Sequence, residues 1–343
     1  MLDRLLGNSP LSPRPHTGHV CRMTGNGHIS HGGLTAYTLA MFVLYLFVVF
    51  VAAVYILAGA VVVRLARQRK IWPVSIADRV ILLLAAAGVV CMAYGRLIEP
   101  NWLVTSYVEI HSSKIPAGRR PVRIVHFSDL HSEARPRLEL RLVEAVAKER
   151  PDIIVFTGDS LNYSAALPVV REAMTALARI APTFAVRGNW DTHYSAHLDL
   201  FGQTGARELN GDAVRMEIGG TPVWISGLAF DNAAALRDTV RSIPANELSV
   251  LLYHLPDLMP ELAAERVDLY CAGHTHGGQV ALPFYGAMIT LSKFGKRYEA
   301  GLYHEGDTWL YVNRGIGMEG GPAPRVRFWS RPELTVIDIR PAA

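Results

Sequence analysis

The feature that most constrains the fold of this chain is a unit that recurs in its second half: a short apolar run followed at once by polar residues and glycine. These apolar runs end at Phe127, Phe156, Val186, Tyr253 and Cys271. Amphipathic helices are predicted between several of them, so the runs are expected to be strands of a sheet that is covered on both faces. Because ligands bind at the carboxyl ends of strands in such sheets, the polar residues should gather at one edge.

The side chains at these strand ends are of the types that bind divalent metal ions. They are carboxylates, one amide and imidazoles: Asp129, His131, Asp159, Asn189, His254, His274 and His276. Oxygen and nitrogen ligands without a thiolate suit Mn, Fe or Zn rather than a soft structural site. Seven ligands would hold two ions if one carboxylate bridges them, and two ions about 3.5–4 Å apart can stabilise a phosphoryl displacement. The pattern therefore indicates hydrolysis at phosphorus.

The first half of the chain contains an apolar segment long enough to cross a membrane. Leu34 to Val63 runs for 30 residues without a charge, and a spanning helix needs about 20. Residues 34–98 are therefore predicted to be a transmembrane region with a span at 34–63. A second uncharged run of 16 residues, at 80–95, lies between Arg79 and Arg96. We favour a second span with snorkelling arginines, and the alternative is an interfacial helix.

The loop between these two runs is basic, which bears on orientation. Its only acid is Asp78, and its basic residues are Arg64, Arg67, Arg69, Lys70 and Arg79. Since positive loops stay in the cytoplasm, two spans in the inner membrane would place the C-terminal half outside the cytoplasm. A single span would leave that half inside. Arginines also follow the second run, which weakens the bias.

Charge divides unevenly along the chain. Residues 1–121 contain 12 Lys/Arg and 4 Asp/Glu, a net of +8, while residues 122–343 contain 22 and 26, a net of −4. A nucleic-acid partner would call for a basic recognition domain, so none is expected.

Residues 1–33 are predicted to be a disordered leader, 99–121 a linker with some extended structure, and 122–343 the remaining domain. Three scattered cysteines indicate no disulfide framework.

The order of the polar clusters resembles that of the calcineurin-like metallophosphoesterases, over nearly all of 122–339. The matching pieces are Asp129-x-His131, Gly158-Asp159, Gly188-Asn189-x-Asp191, His254 and Gly273-His274-x-His276. Residues 273–279 and 292–298 are similar to the membrane-anchored branch of that family. That branch includes cell-surface phosphodiesterases and the UDP-2,3-diacylglucosamine pyrophosphatases of lipid A synthesis.

The resemblance implies a four-layer α/β-β/α sandwich with a dinuclear site, for which we favour Mn. Asp129, His131, Asp159 and His276 would hold one ion. Asp159, Asn189, His254 and His274 would hold the other, with Asp159 bridging. In this arrangement the catalytic residues are those that surround a metal-activated hydroxide: Asp129, Asp159, Asn189 and His254.

One position departs from the family pattern. Most members place a histidine directly after the motif asparagine, where it is thought to protonate the leaving group, whereas this chain has Trp190. An indole cannot serve as such an acid, so Trp190 is expected to pack or to stack on a substrate ring. His193 is close enough in sequence to be a substitute acid. Without an acid, a phosphate leaving group with a pKa of about 6 is favoured over an alkoxide.

Basic residues near the clusters are candidate substrate contacts, because Lys and Arg bind phosphate. Ordinary surface charge is the alternative for each of them. Together with Trp190, the candidates are Arg187, Lys293, Arg297 and Arg314, with Lys296 and Arg325 as further possibilities.

Taken together, the sequence predicts a membrane-anchored, dinuclear phosphohydrolase. Its expected partners are the bilayer and a lipid-linked or nucleotide-sugar phosphate substrate. Lipid A synthesis would require UDP-2,3-diacylglucosamine at the cytoplasmic face, whereas an outside domain favours a broad extracytoplasmic phosphodiesterase. A non-catalytic membrane scaffold is a further alternative, although complete metal ligands argue against it.

Overall fold

Two long helices precede the sheets. The computed structural model describes residues 31–68, 74–262, 265–319 and 325–342. Helix α1 spans His31–Gln68 and α2 spans Ile76–Ala93, after which a π-helical turn continues to Ile98. The segments Phe42–Arg67 and Ile76–Asn101 are long and apolar enough to cross a membrane, and few of their side chains are buried. Helix α1 begins three residues before the predicted span, and residues 1–30 of the predicted leader lie outside the described residues.

Polar contacts join the two helices near their connecting loop. The guanidinium of Arg64 pairs with Asp78, and the Tyr55 hydroxyl donates to the Ala85 carbonyl at 3.2 Å. Ser75 caps α2 by accepting from the Asp78 amide. The positive charge of the predicted basic loop is thus partly neutralised, because its one acidic residue pairs with one of its arginines.

Within the described residues, the strands form two six-stranded sheets and one short hairpin. The first sheet has the order β1-β14-β2-β3-β4-β5 and the second β12-β13-β9-β8-β7-β6. The strands are β1 Val104–Ser112, β2 Val122–Phe127, β3 Ile153–Phe156, β4 Thr183–Ala185, β5 Arg207–Glu208, β6 Asp212–Ile218, β7 Thr221–Leu228, β8 Leu248–Tyr253, β9 Leu269–Ala272, β10 Ala281–Leu282, β11 Gly286–Ala287, β12 Gly301–Glu305, β13 Thr308–Val312 and β14 Glu333–Pro341.

The two sheets pack face to face and carry helices on their outer faces. The helices are α3 Glu139–Glu149, α4 Leu167–Ala178, α5 Asn189–Tyr194, α6 Leu236–Arg241 and α7 Met259–Leu262. Side chains from β2, β3, β7 and β8 interdigitate between the sheets, with Ile124, Val155, Ile225 and Val250 fully buried. Helices α3 and α4 cover the first sheet, and α6 and α7 cover the second. The predicted four-layer α/β-β/α sandwich, preceded by two apolar helices, is confirmed.

The segment predicted as a linker, 99–121, contributes a strand to the sandwich. Its extended part is β1, which pairs in parallel with β14 from Val104↔Glu333 to Ser112↔Pro341. Residues 104–112 therefore belong to the first sheet, although they precede the predicted boundary at 122. Local sequence did not reveal this, because the partner strand lies more than 200 residues away.

Candidate metal centre

The seven predicted ligands follow strands of both sheets. Asp129 and His131 come after β2, Asp159 after β3, and Asn189 opens α5 after β4. His254 follows β8, and His274 and His276 follow β9. These strands run parallel within their sheets, so their carboxyl ends share one edge of the sandwich.

Six of the seven side chains form two compact groups. Asp129, His131 and His276 make one group, and Asp159, His254 and His274 make the other; within each, the ligand atoms lie within 4.8 Å of one another. All six residues are buried. Each group draws ligands from both sheets, so neither could exist without the face-to-face packing of the sandwich.

Asp159, a member of the second group, also lies beside the first group. Its Oδ2 is 3.2 Å from His254 Nε2 and 3.6 Å from His131 Nε2. Across the centre, Asp129 Oδ1 is 3.3 Å from His276 Nε2 and 4.0 Å from His254 Nε2. A carboxylate in the position of Asp159 is suited to bridge two ions.

The donor set fits divalent metal ions. His131 Nε2 and Asn189 Oδ1 are buried, and neither atom has a hydrogen-bond partner among the described residues. Buried polar atoms are nearly always satisfied, so unpaired ligand-type atoms at the centre are what a metal site requires. Imidazole, carboxylate and amide oxygen are borderline to hard ligands, in agreement with Mn, Fe or Zn.

The imidazole rings are oriented by partners on their second nitrogens. His131 Nδ1 donates to Asn162 Oδ1 at 3.0 Å, and His254 Nδ1 donates to the Thr157 carbonyl at 2.7 Å. His274 Nε2 faces the Leu291 carbonyl at 3.4 Å, which leaves its Nδ1 toward the centre. Such partners fix the tautomer and the ring plane of a metal-binding histidine.

Much of the centre is built on strained backbone. Five of the seven predicted ligands have φ in the left-handed region: Asp129, His131, Asp159, His274 and His276, with φ between 38° and 71°. That conformation costs non-glycine residues on the order of 1–3 kcal/mol each, and such strain concentrates at functional sites. It turns the chain sharply at each strand end, so that side chains two residues apart can face one centre.

Asp191 holds two of the ligand loops together. Its carboxylate accepts from the backbone N–H groups of Gly188, Asp159 and Ser160 at 2.8–3.0 Å. Gly188 is needed here because the Cβ of any other residue would overlap the Asp159 carboxylate. The loop after β4 therefore packs directly against the loop after β3, with Asn189 beside Asp159.

Electrostatics around the centre favour neutral ligating imidazoles and one internal ion pair. Burial lowers the pKa of His131 to about 4 and that of His274 to about 3. Burial also works against a charged His254, but Asp159 and Asp129 outweigh it and raise the pKa of His254. His254 likewise offsets the effect of burial on Asp159 and lowers the pKa of that carboxyl. Metal binding would therefore displace the His254 proton.

Trp190 lies at the rim of the centre, whereas His193 packs elsewhere. The Trp190 ring meets His131 edge-on with 5.3 Å between centroids, and it lies 4.8 Å from the ring of Tyr194. Its backbone N–H donates to Asp159 Oδ1 at 2.8 Å. The exposed His193 ring packs edge-on against Phe230, which does not favour it as a substitute acid.

The predicted substrate contacts differ in how they are held. Arg187 donates to Glu208 at 2.7 Å and to the carbonyls of Ser195 and Leu198, which fixes the loop after β4; substrate binding by Arg187 stays a prediction. Arg314 pairs with Glu333 at 2.9 Å. Lys293 and Arg297 are exposed, with their cationic groups 3.8 Å from Glu261 and 2.7 Å from Glu305. For these last three residues, substrate binding stays a prediction.

Two residues beside the centre were missed by the sequence reasoning. Asn162 accepts from His131 and donates to the carbonyls of His131 and Met318 at 3.0 and 3.1 Å. The fully buried Arg327 donates to the Gly317 and Ser330 carbonyls and lies 3.4 Å from His276 Nδ1. The position of Asn162, three residues after Asp159 at a strand end, was a usable signal; nothing local marks Arg327.

Known proteins give the same assignment. Residues 122–278 match the family model described as calcineurin-like phosphoesterase. The uncharacterized metallophosphoesterase YkuE of Bacillus subtilis is 33% identical over 264 residues, covering 72% of this chain and 89% of that protein. The phosphodiesterase YaeI of Escherichia coli is 30% identical, covering 72% and 92%. The UDP-2,3-diacylglucosamine pyrophosphatase LpxG of Chlamydia trachomatis is 25% identical, covering 74% and 94%. With its four-layer sandwich and its paired groups of metal-binding side chains, this chain belongs to the calcineurin-like metallophosphoesterases.

Proposed function

We propose that this hydrolase binds two divalent ions, with Mn favoured, and cleaves a phosphodiester or pyrophosphate bond of an amphiphilic substrate at a membrane surface. The observation that carries the proposal is the pair of ligand groups, in which the Asp159 carboxylate of one group lies 3.6 Å from His131 Nε2 of the other. Asp129, His131, His276 and Asp159 would hold one ion, and Asp159, Asn189, His254 and His274 the other. Ions bound there would supply an activated water and neutralise charge on the phosphoryl oxygens.

The protein's own residues contribute orientation and a dry environment. Asn162 and the Thr157 carbonyl hold the ligating rings of His131 and His254 in place. Asp191 fixes the loops of Asp159 and Asn189. A centre that is assembled before substrate arrives needs little reorganisation during reaction, which is the main source of electrostatic catalysis.

Two apolar helices joined to the domain support a lipid-linked substrate. An enzyme held by a helical hairpin works where amphiphiles are concentrated, and one relative is named a UDP-2,3-diacylglucosamine pyrophosphatase. A broad extracytoplasmic phosphodiesterase is the second candidate. The basic residues between the helices favour an outside domain, and another relative is named a phosphodiesterase.

The test is a hydrolysis assay on the detergent-solubilised full chain loaded with Mn²⁺. Three substrates separate the candidates: UDP-2,3-diacylglucosamine, an aryl phosphodiester and an aryl phosphomonoester. We expect turnover of at least one of the first two and its loss in Asp159→Ala. No turnover of any of the three by the wild-type protein would refute the proposal. A reporter fused to the C-terminus decides the side of the membrane, and a cytoplasmic signal would exclude the extracytoplasmic candidate.

A further inference from the structure

Most members of this family have a histidine that serves as general acid at the position that Trp190 occupies here. In this chain a carboxyl group lies against the indole of Trp190. Glu319 Oε1 is 3.4 Å from Trp190 Nε1. The backbone N–H of Glu319 donates to Gln279 Oε1 at 3.0 Å, and the carbonyl of the preceding residue, Met318, accepts from Asn162. The N–H of Glu319 and the carbonyl of Met318 are therefore both held by hydrogen bonds, and the Glu319 carboxyl lies against the Trp190 indole.

That place is at the edge of the metal centre. Asn162 is also the partner of the His131 ring, and Trp190 contacts both that ring and the Asp159 carboxylate. Glu319 thus adjoins the centre through Trp190, which its carboxyl contacts, while Asn162 holds the carbonyl of the preceding residue. Glu319 is half-buried.

We propose that Glu319 is the general acid of this enzyme and delivers its proton to the leaving-group oxygen. This rests on the proposed function, a hydrolysis at phosphorus. Water adds its hydroxyl to phosphorus, the bond from phosphorus to the leaving oxygen breaks with its electron pair on that oxygen, and the carboxyl proton of Glu319 moves there. The released alcohol or phosphate departs, and the proton lost by the attacking water restores the Glu319 carboxyl through solvent.

The surroundings of the Glu319 carboxyl raise its pKa above the ordinary value of a glutamate. Burial raises the pKa of its carboxyl, and the negative charge of Asp159 adds to that effect, while the hydrogen bond from Trp190 and the charge of His254 work in the opposite direction. A carboxyl with a raised pKa keeps its proton to a higher pH than an ordinary glutamate does, so a larger fraction of it is available as a general acid. Such an acid would extend the substrate range to alkyl diesters, which Trp190 alone disfavours.

The experiment compares Glu319→Gln with wild type on two diesters that differ in their need for a proton. Bis(4-nitrophenyl) phosphate releases a stable phenolate, whereas glycerophosphoglycerol releases an alkoxide. We expect kcat for the alkyl diester to fall about 100-fold or more, in line with general acid catalysis, and kcat for the aryl diester to stay within about threefold. In wild type the alkyl rate should fall as pH rises through the pKa of Glu319, and the variant should lack that limb.

Two readouts do not depend on turnover. Metal content should be unchanged in Glu319→Gln. The part of the pH-dependent tryptophan fluorescence that comes from Trp190, measured as the difference between wild type and Trp190→Phe, should be lost in Glu319→Gln. Glu144→Gln, an exposed change on α3, is the matched control and should behave as wild type.

The outcomes separate the two proposals. Equal loss on both diesters, no loss on either, or loss of metal from Glu319→Gln would overturn the acid role and leave the hydrolase proposal standing. A metal-loaded wild type that cleaves neither diester nor UDP-2,3-diacylglucosamine would overturn both.

Discussion

Asp191 is not one of the predicted metal ligands, but its hydrogen bonds fix the geometry of the loops that carry two of them. Its carboxylate satisfies three backbone N–H groups in two loops. An asparagine in its place keeps one acceptor oxygen but turns an NH₂ group toward a buried donor. A buried donor left unpaired costs about 1–3 kcal/mol.

We therefore expect Asp191→Asn to lower the free energy of unfolding by that amount and to weaken Mn²⁺ binding about 10- to 100-fold, as for other partners of metal ligands. Urea unfolding and titration calorimetry measure the two effects. Asp307→Asn, in an exposed turn, is the matched control. Unchanged Mn²⁺ affinity in Asp191→Asn would show that the loops keep their positions without this carboxylate.

Gly273 permits a close approach between the loops that follow β9 and β2 at the centre. The Cβ of an alanine there would overlap Ser128 Oγ and Asp129 Oδ2. Overpacking of this kind costs about 1–3 kcal/mol, and here the displaced atom belongs to a predicted ligand. Gly273→Ala should therefore bind Mn²⁺ at least about 10-fold more weakly in calorimetry. Gly59→Ala, whose added methyl group meets no atom within 4 Å, should bind as wild type does; equal affinities for both variants would contradict the steric explanation.

At the level of elements, the turn that follows α2 is connected to the metal centre through the segment before β14. The Glu99 carboxylate accepts from the backbone N–H groups of Trp329 and Ser330 at 2.9 and 2.5 Å. The Ser330 hydroxyl donates to the His276 carbonyl at 2.6 Å. Glu99 is buried. Its hydrogen bonds therefore hold the turn after the apolar helices against the edge of the sandwich that carries the predicted ligands.

Weakening the hydrogen bonds of Glu99 should increase the mobility of the segment before β14 and of the predicted ligand that it contacts, His276. We expect Glu99→Gln to increase amide hydrogen exchange over residues 325–332 and to lower Mn²⁺ affinity several-fold, because two buried N–H groups lose charge-assisted hydrogen bonds. Glu109→Gln, which alters an exposed pair with Arg340, is the control. If exchange at 325–332 were the same in wild type and in Glu99→Gln, the connection would be incidental.

Local patterns predicted the elements that carry the site but not every partner of those elements. Strands such as β3 and β8 are largely apolar runs, and predicted ligands follow them directly. The position of these ligands in the sequence was therefore enough to predict that they lie at the edge of the sheet. Strand β1 was read as a linker because its pairing with β14 is non-local. Arg327 and Glu319 escaped notice for the same reason, since their contacts at the centre are with residues distant in sequence.

At the scale of the whole molecule, the metal centre lies where the two sheets of the sandwich meet and takes side chains from both. Because each ligand group takes side chains from both sheets, bound ions should stabilise the packed state and not the unfolded chain. Mn²⁺ at 100 times its Kd adds about 2.7 kcal/mol per site, which raises Tm by about 5–10 °C for each occupied site in a domain of this size. Differential scanning fluorimetry with and without Mn²⁺ measures the shift. Asp159→Ala should lose most of it, and an equal shift in this variant would mean that the ion binds elsewhere.

The measurement that tests the central claim most directly is the number of metal ions per chain. Inductively coupled plasma mass spectrometry on the purified full chain, loaded with Mn²⁺ and then desalted, should give two ions per chain, and Asp159→Ala should give fewer than one because both groups lose the shared carboxylate. Two ions in wild type with that loss in the variant is the predicted result. One ion or none in wild type, or two ions retained by Asp159→Ala, would contradict a dinuclear centre bridged by Asp159.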